Sequence, residues 1–92
     1  MVRKRTRIEI INDILLVLIR NGGQVKPTHL MYKANLSYNQ MNTYLSELIE
    51  KKMVEKLKEN ENKRELIGIT ERGYKFADEL QKFNAFEDAF GI

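Results

Sequence analysis

The sequence predicts a mainly α-helical single domain with one small β-hairpin. Three observations predict this fold class: apolar residues recur at helical spacing in three segments, a hydroxyl residue precedes each of them, and two strand-like runs flank a polar tip at residues 58–64. Ninety-two residues, 42% apolar and 32% charged, match one soluble domain. The apolar run at residues 14–19 is too short for a membrane span, and we predict no targeting segment.

A first helix is predicted directly after Thr6, which together with Glu9 has the form of a capping box. In such a box the hydroxyl accepts from the third helical amide, and the carboxylate accepts from the amide of the capping residue. Apolar residues at helical spacing follow: Ile8, Ile10, Ile11, Ile14, Leu15, Val17 and Leu18. The helix is expected to end at the Asn-Gly-Gly of residues 21–23, and residues 24–25 can form a very short strand.

Two further helices joined by a tight turn are predicted next. Pro27 fits the first turn of a helix because its missing N–H needs no partner there, and this helix runs to about residue 34. An Asn-Leu turn follows, and Ser37 with Gln40 makes a second capping box. The third helix ends near residues 51–52 and carries an apolar stripe: Met41, Leu45 and Leu48.

A hairpin and a fourth helix complete the domain. Residues 53–57 and 65–69 are predicted as antiparallel strands, Thr70 caps a helix, and Glu71 lies in its favourable first turn. The apolar residues of this helix are Tyr74, Phe76, Ala77, Leu80, Phe83, Phe86 and Phe90. This order of elements is that of a winged helix-turn-helix with an added C-terminal helix. The predicted parts are a basic arm, a winged-helix core and a C-terminal dimerisation helix: residues 1–7, 8–69 and 70–92.

Two motifs resemble a known family. The segment MYKANLSY at residues 31–38 looks like the central signature of archaeal winged-helix DNA-binding proteins. Within that group it is similar to small dimeric, chromatin-associated proteins whose C-terminal helices pair as an antiparallel coiled coil. The segment TERG at residues 70–73 resembles the start of the helix after the wing in many winged-helix regulators. The resemblance runs from Arg5 to about Leu80 and implies DNA binding by a dimer.

Two features depart from the family pattern. Lys52 stands where the family usually has glycine, so either Lys52 adopts a positive φ at a cost of roughly 1 kcal/mol, or the helix ends in another way. The tail after Leu80 has twelve residues and offers about two heptads, whereas a long coiled coil needs several. We therefore expect a dimer without an extended rod.

Charge and residue types restrict the function. The net charge of +3 is concentrated in the first seven residues, with four bases, and in residues 51–65, with six bases against four acids. Separated basic zones can bind a polyanion despite a low net charge. The absence of cysteine excludes disulfides and thiol catalysis, and the single histidine, His29, has no evident nucleophile or metal partner. We expect no enzymatic activity, no metal and no cofactor.

The polar side of the third helix supplies the candidate base-reading residues: Tyr38, Asn39, Asn42 and Thr43. The N-terminal part of a recognition helix reaches base edges, and an asparagine amide can pair with adenine in a bidentate way. No arginine or lysine lies on this side, which predicts weak sequence specificity or readout of A·T steps. The alternative is a solvated polar face that contacts nothing.

Basic residues in three zones are the candidate phosphate contacts: Arg3, Lys4 and Arg5 in the arm, Lys26 and Lys33 around the second helix, and Lys56, Lys58, Lys63 and Arg64 in the wing. Such contacts position a protein on DNA and make its affinity depend on salt. The alternatives are a disordered basic arm and a solvated hairpin tip whose bases pair with neighbouring glutamates.

Apolar residues on the first and fourth helices are the candidate dimer interface: Ile10, Val17, Phe76, Leu80, Phe83, Phe86 and Phe90. These are too many large side chains for the edge of so small a domain, and soluble monomers rarely expose apolar patches above a few hundred Å². Packing of the rings onto the first helix is one alternative. We favour a two-fold dimer in which both helices share the burial.

These patterns predict a homodimeric protein that binds double-stranded DNA, either as a transcription regulator or as a chromatin-associated protein. The helix at about residues 37–51 would enter the major groove, and the wing would lie on the backbone. We expect a cytoplasmic, nucleoid-associated location, no membrane association and no small-molecule ligand. The alternative is a winged-helix module that binds another protein within a transcription or replication complex.

Overall fold

The computed structural model describes residues 4–58 and 64–91. These residues form helices around a three-stranded antiparallel sheet, which confirms the predicted fold class. In chain order the elements are α1 (Arg7–Arg20), β1 (Gln24–Val25), α2 (Pro27–Lys33), α3 (Tyr38–Glu50), β2 (Val54–Lys58), β3 (Glu65–Ile69) and α4 (Glu71–Phe90). Strand β3 lies between β1 and β2, so the sheet joins the segment before the helix-turn-helix to the hairpin after it.

Helix α1 lies at the centre of the core, where it contacts α2, the sheet and α4. It begins with the predicted capping box: the Thr6 hydroxyl accepts from the Glu9 amide at 3.2 Å, and the Glu9 carboxylate accepts from the Thr6 amide at 3.1 Å. The largest fully buried side chains are Ile14, Leu15, Leu18, Leu30, Leu48, Val54 and Ile67. Burial of each contributes about 1.5–3 kcal/mol and fixes how the helices sit on the sheet.

The turn between α2 and α3 is defined by hydrogen bonds on both sides. Asn35 has a φ of 54°, and the Leu36 amide donates to the Met31 carbonyl at 3.0 Å, which closes the end of α2. The predicted capping box at Ser37 and Gln40 then opens α3, with its two bonds at 3.1 and 3.0 Å. The start of α3 is therefore fixed by interactions within a few residues.

Helix α3 ends in the same way, at the position where the family usually has glycine. Lys52 has a φ of 62°, the Lys52 amide donates to the Ile49 carbonyl, and the Met53 amide donates to the Leu48 carbonyl, both at 2.9 Å. The right-handed helix α3 therefore ends with one residue in the left-handed conformation, and that residue is a lysine in place of the usual glycine. Of the two alternatives for Lys52, a positive φ or a different helix end, the structure shows the positive φ.

Strand β2 begins and ends one residue later than the predicted 53–57. Met53 is excluded from the strand because its amide completes the end of α3 and its carbonyl accepts from the Thr70 amide at 3.0 Å. Pairing with β3 starts at Val54, opposite Ile69. The predicted bounds of β1 and β3 are confirmed.

The first turn of α4 packs against the segment that follows α3. The Thr70 hydroxyl donates to the Lys52 carbonyl at 2.6 Å and accepts from the Gly73 amide at 3.1 Å. A Cβ at Gly73 would lie 2.7 Å from Cγ1 of Ile69 and 3.2 Å from the carbonyl carbon of Met53, and closer still to its oxygen. The TERG motif therefore combines a cap that holds the end of α3 with a glycine that allows close approach.

Candidate nucleic-acid interface

The N-terminal half of α3 presents polar side chains to solvent. Tyr38 is 66% exposed, and Asn39, Asn42 and Thr43 are also exposed. The Thr43 hydroxyl donates to the Asn39 carbonyl at 2.9 Å, so its lone pairs remain as acceptors. The predicted base-reading residues therefore lie together on one accessible surface, which we name the α3 face: Tyr38, Asn39, Asn42 and Thr43.

The orientation of the α3 face follows from the apolar side of the helix. Met41, Leu45 and Leu48 are buried in the core, so the opposite side of α3 must face outward. A groove of about 240 Å³ separates α3 from the strands, and Tyr38 and Asn42 are among its lining residues. The α3 face is therefore open to solvent and is bordered by a groove on the side of the strands.

The wing cations are only partly available for phosphate contact. Lys56 pairs with Glu65 across the two strands at 3.6 Å, as the alternative of a solvated, ion-paired hairpin expects. Lys58 and Arg64 are exposed on either side of residues 59–63. The predicted contact at Lys63 lies outside the described residues.

Two cations lie at the ends of α2, the helix that precedes the tight turn. Lys26 caps the helix without a side-chain cap bond, and Lys33 lies in its last turn, directly before the tight turn. Both are exposed, and the described part of the chain records no ion pair for either. Tyr32, next to Lys33, is strongly exposed as well, so its hydroxyl is a further candidate phosphate donor.

Two arginines of the predicted basic arm, Arg5 and Arg7, contact other parts of the protein. Arg5 folds back and donates from Nη1 to the Asp13 carboxylate at 2.8 Å and from Nη1 and Nη2 to two backbone carbonyls of the α2–α3 turn, each at 2.7 Å. Arg7 forms an ion pair with Glu47 of α3. Lys4 is exposed, and Arg3 lies outside the described residues. No sequence pattern indicates the Arg5 contacts with the turn, because the residues involved are 29 and 30 positions apart in the chain.

The outer half of α4 carries an uncovered aromatic stripe, which we name the phenylalanine stripe: Phe83, Phe86 and Phe90. These side chains are 59%, 55% and 69% exposed, and the rings of Phe86 and Phe90 lie 4.8 Å apart. The stripe follows from i, i+3, i+7 spacing on a helix whose first half alone packs on the core. The charged flank beside it is solvated, and the hydrogen bond from Lys82 to Asp78 raises the pKa of Lys82.

The other residues expected at a dimer interface are buried or half-buried within the single chain. Ile10 and Val17 are 7% and 9% exposed, so they belong to the core of the single chain and offer a second subunit almost no surface. Phe76 and Leu80 are half-buried, with Phe76 packed against the core. The placement of Ile10 and Val17 differs from the expectation because α1 is enclosed on more than one side.

The rest of the described chain offers little for other chemistry. Residues 4–58 and 64–91 contain no group of three or more metal-binding side chains, and none of their helices is long and apolar enough to cross a membrane. His29 is exposed on α2, as expected. The polar α3 face is thus the main candidate site in these residues.

Comparison with protein families identifies the architecture. The sequence matches the family model for the winged helix-turn-helix over residues 4–88. A comparison with curated protein sequences gives no significant match. The family match spans nearly the whole chain and includes both helices of the helix-turn-helix unit and the hairpin.

Solved structures with this fold include three informative neighbours. Sso10a-2, a DNA-binding protein from Sulfolobus solfataricus, is 26% identical with a TM-score of 0.76, over 94% of this chain and 85% of that one. F93 from STIV, a winged-helix DNA-binding protein, is 24% identical with a TM-score of 0.73, and the match covers 91% of this chain and 92% of F93. The PcaV transcriptional regulator from Streptomyces coelicolor, solved with its natural ligand, is 16% identical with a TM-score of 0.77. The match covers 94% of this chain and 60% of PcaV.

Proposed function

Because the chain belongs to the winged helix-turn-helix family, we propose that it binds double-stranded DNA with α3 as the recognition helix. The observation that carries this proposal is the exposed α3 face at the N-terminal end of the second helix of the unit. Similarity to Sso10a-2 and F93, each described as a DNA-binding protein, supports the same function. Similarity in fold to PcaV is consistent with a role in transcription regulation.

Base contacts would come from the amides of the α3 face. Asn39 and Asn42 stand on adjacent turns. The side-chain amide of an asparagine can donate from Nδ2 to N7 of adenine and accept at Oδ1 from the N6 amino group, as a bidentate pair. Helix α3 itself contains no arginine or lysine, so the common bidentate contact to guanine is missing. We therefore propose modest specificity with a preference for A·T steps, which suits either a regulator or a chromatin-associated protein.

Phosphate contacts would come from exposed cations at the ends of α2 and on the wing. Lys26, Lys33, Lys58 and Arg64 are exposed and lack a recorded ion pair among the described residues. Lys56 contributes less, because Glu65 offsets its charge. If these four cations meet phosphates in each subunit of a dimer, log affinity falls with log salt at a slope of roughly −7.

The dimer would form through the phenylalanine stripe of α4. Large aromatic side chains bury about 150–250 Å² each, so three of them form a patch of the size that soluble monomers rarely leave uncovered. A two-fold pairing of these stripes would make α4 a dimerisation helix and present two α3 faces to successive major grooves. The expected absence of catalysis, cofactors and small-molecule effectors, and the expected cytoplasmic location, remain predictions.

Fluorescence anisotropy with labelled duplexes tests the proposal. We expect binding of random duplex at low salt, tighter binding of an A·T-rich duplex, and the steep salt slope given above. Replacement of Asn39 and Asn42 by alanine should remove the A·T preference and weaken binding by at least tenfold, since each bidentate base contact contributes about 1–3 kcal/mol. Asn84→Ala on α4, where the asparagine is also exposed, is the matched control. Absence of duplex binding at low salt would contradict the proposal and favour a protein partner.

A further inference from the structure

We propose that Arg5 positions the recognition helix by clamping the α2–α3 turn to α1, and that it does not contact DNA. The sequence places Arg5 in a basic arm, yet its guanidinium is directed into the protein. The consequence for DNA binding rests on the proposed function above, whereas the clamp itself can be measured in the free protein.

The clamp consists of three short hydrogen bonds from one side chain. Nη1 of Arg5 donates to Oδ2 of Asp13 at 2.8 Å and to the Ala34 carbonyl at 2.7 Å, and Nη2 donates to the Asn35 carbonyl at 2.7 Å. These contacts join residues that are 29 and 30 positions apart in the chain. A planar guanidinium holds several donors in a fixed arrangement, so it can bridge a carboxylate and two carbonyls where an ammonium cannot.

The two carbonyls lie just past the end of α2, where no helical amide remains to pair with them. The carbonyls of Met31 and Tyr32 accept the amides of Leu36 and Asn35 as the helix closes, while those of Ala34 and Asn35 point beyond the last turn. The C-terminal end of a helix carries a negative partial charge, which attracts a cation. Arg5 supplies that cation, and Asp13 of α1 holds Arg5 in place.

A second arginine of the same segment ties the other half of α3 to α1. Arg7 pairs with Glu47, which also lies 3.6 Å from Lys51. This pairing offsets the charge of Glu47, which lies one turn after Thr43 on α3. Arg5, just before α1, thus contacts the turn before α3, and Arg7, at the start of α1, contacts the later part of α3.

Release of the clamp should act through the orientation of α3. The apparent affinity of a protein falls in proportion to the fraction of molecules in the binding-competent arrangement. Loosening of the α2–α3 turn lowers that fraction without removing a contact to DNA. The affinity therefore falls while the number of phosphate contacts, and with it the salt slope, stays the same.

Three variants and one control separate a clamp from a phosphate contact: Arg5→Lys, Arg5→Gln, Asp13→Ala and the control Arg20→Gln, at an exposed arginine in the last turn of α1. We expect both Arg5 variants to weaken duplex binding by roughly tenfold, because a lysine cannot reproduce the bridge. Asp13→Ala should weaken binding by roughly threefold, the size typical of a part-exposed ion pair. Electrostatics alone predicts the opposite sign for Asp13→Ala, since it removes a negative charge. All assays are made at a temperature where circular dichroism shows each variant folded.

Amide hydrogen exchange in the free protein tests the clamp without DNA. We expect the amide of Leu36, in the turn, to exchange faster in both Arg5 variants and in Asp13→Ala, and to be unchanged in Arg20→Gln. Wild-type affinity for Arg5→Lys with tighter binding by Asp13→Ala would overturn the proposal, as would unchanged exchange at Leu36. Failure of the wild-type protein to bind duplex would instead contradict the proposed function, while the exchange data still decide whether the clamp exists.

Discussion

Gly73→Ala tests the reason for the close contact between α4 and the end of α3. An added Cβ would lie 2.7 Å from Cγ1 of Ile69 and 3.2 Å from the carbonyl carbon of Met53, with the carbonyl oxygen nearer still. That carbonyl cannot move away freely, because it accepts from the Thr70 amide at 3.0 Å. The clash is therefore with backbone, and α4 must shift to relieve it.

The expected loss of stability can be worked from these contacts. Overpacking against a fixed neighbour costs about 3 kcal/mol, at the upper end of the usual range. Replacement of glycine by alanine within a helix returns about 1 kcal/mol of helix propensity. The net loss is about 2 kcal/mol, which for a domain of this size lowers the melting temperature by roughly 8–16 °C.

Thermal unfolding followed by circular dichroism provides the measurement. Gly22→Ala is the matched control, because Gly22 has a φ of 80° and open space around a built Cβ, so it loses only the roughly 1 kcal/mol of a strained φ. We expect Gly73→Ala to melt well below both the wild type and this control. A Gly73→Ala variant that melts at or above the wild type would refute the packing account of the TERG motif.

Other substitutions test the helix end, the dimer and the wing. Lys52→Gly should leave the melting temperature unchanged or raise it, because glycine adopts a positive φ without strain; a clear fall would contradict the φ of 62°. Phe86→Gln should give the mass of one chain in sedimentation at micromolar concentration, while Tyr32→Gln keeps the dimer; a wild type that sediments as a monomer contradicts the dimer outright. Glu65→Gln should tighten duplex binding at low salt by about twofold, since it leaves Lys56 unpaired, and unchanged affinity would exclude Lys56 from the interface.

The parts of the fold that sequence reasoning predicted are those fixed by neighbours in the chain. The capping boxes at Thr6 and Ser37 and the cap at Thr70 each involve residues three apart, so their residue types alone identify them. At Lys52 the resemblance left two helix ends open, and the structure has the one with a positive φ. The α3 face was also predictable from neighbours in the chain, because helical spacing separates the polar side of α3 from its apolar side.

The parts that sequence reasoning missed depend on contacts between distant segments. Arg5 in a run of bases resembles a free arm, and only the folded chain brings it to the carbonyls of Ala34 and Asn35. Ile10 and Val17 widen the apolar stripe of α1, but periodicity cannot tell whether the added width meets the core or a second subunit. In both cases the sequence pattern identifies the type of surface, basic or apolar. Which segment of the folded chain that surface contacts depends on how the helices and strands are arranged.

Hydrogen exchange on the complex with a short duplex measures the central claim most directly, which is that the α3 face contacts DNA. We expect protection on duplex binding to be concentrated at residues 38–43, with a weaker effect at Lys33 and in the wing, and no change in the outer half of α4. Protection confined to α4, or an α3 face already protected by a second subunit before DNA is added, would contradict the account.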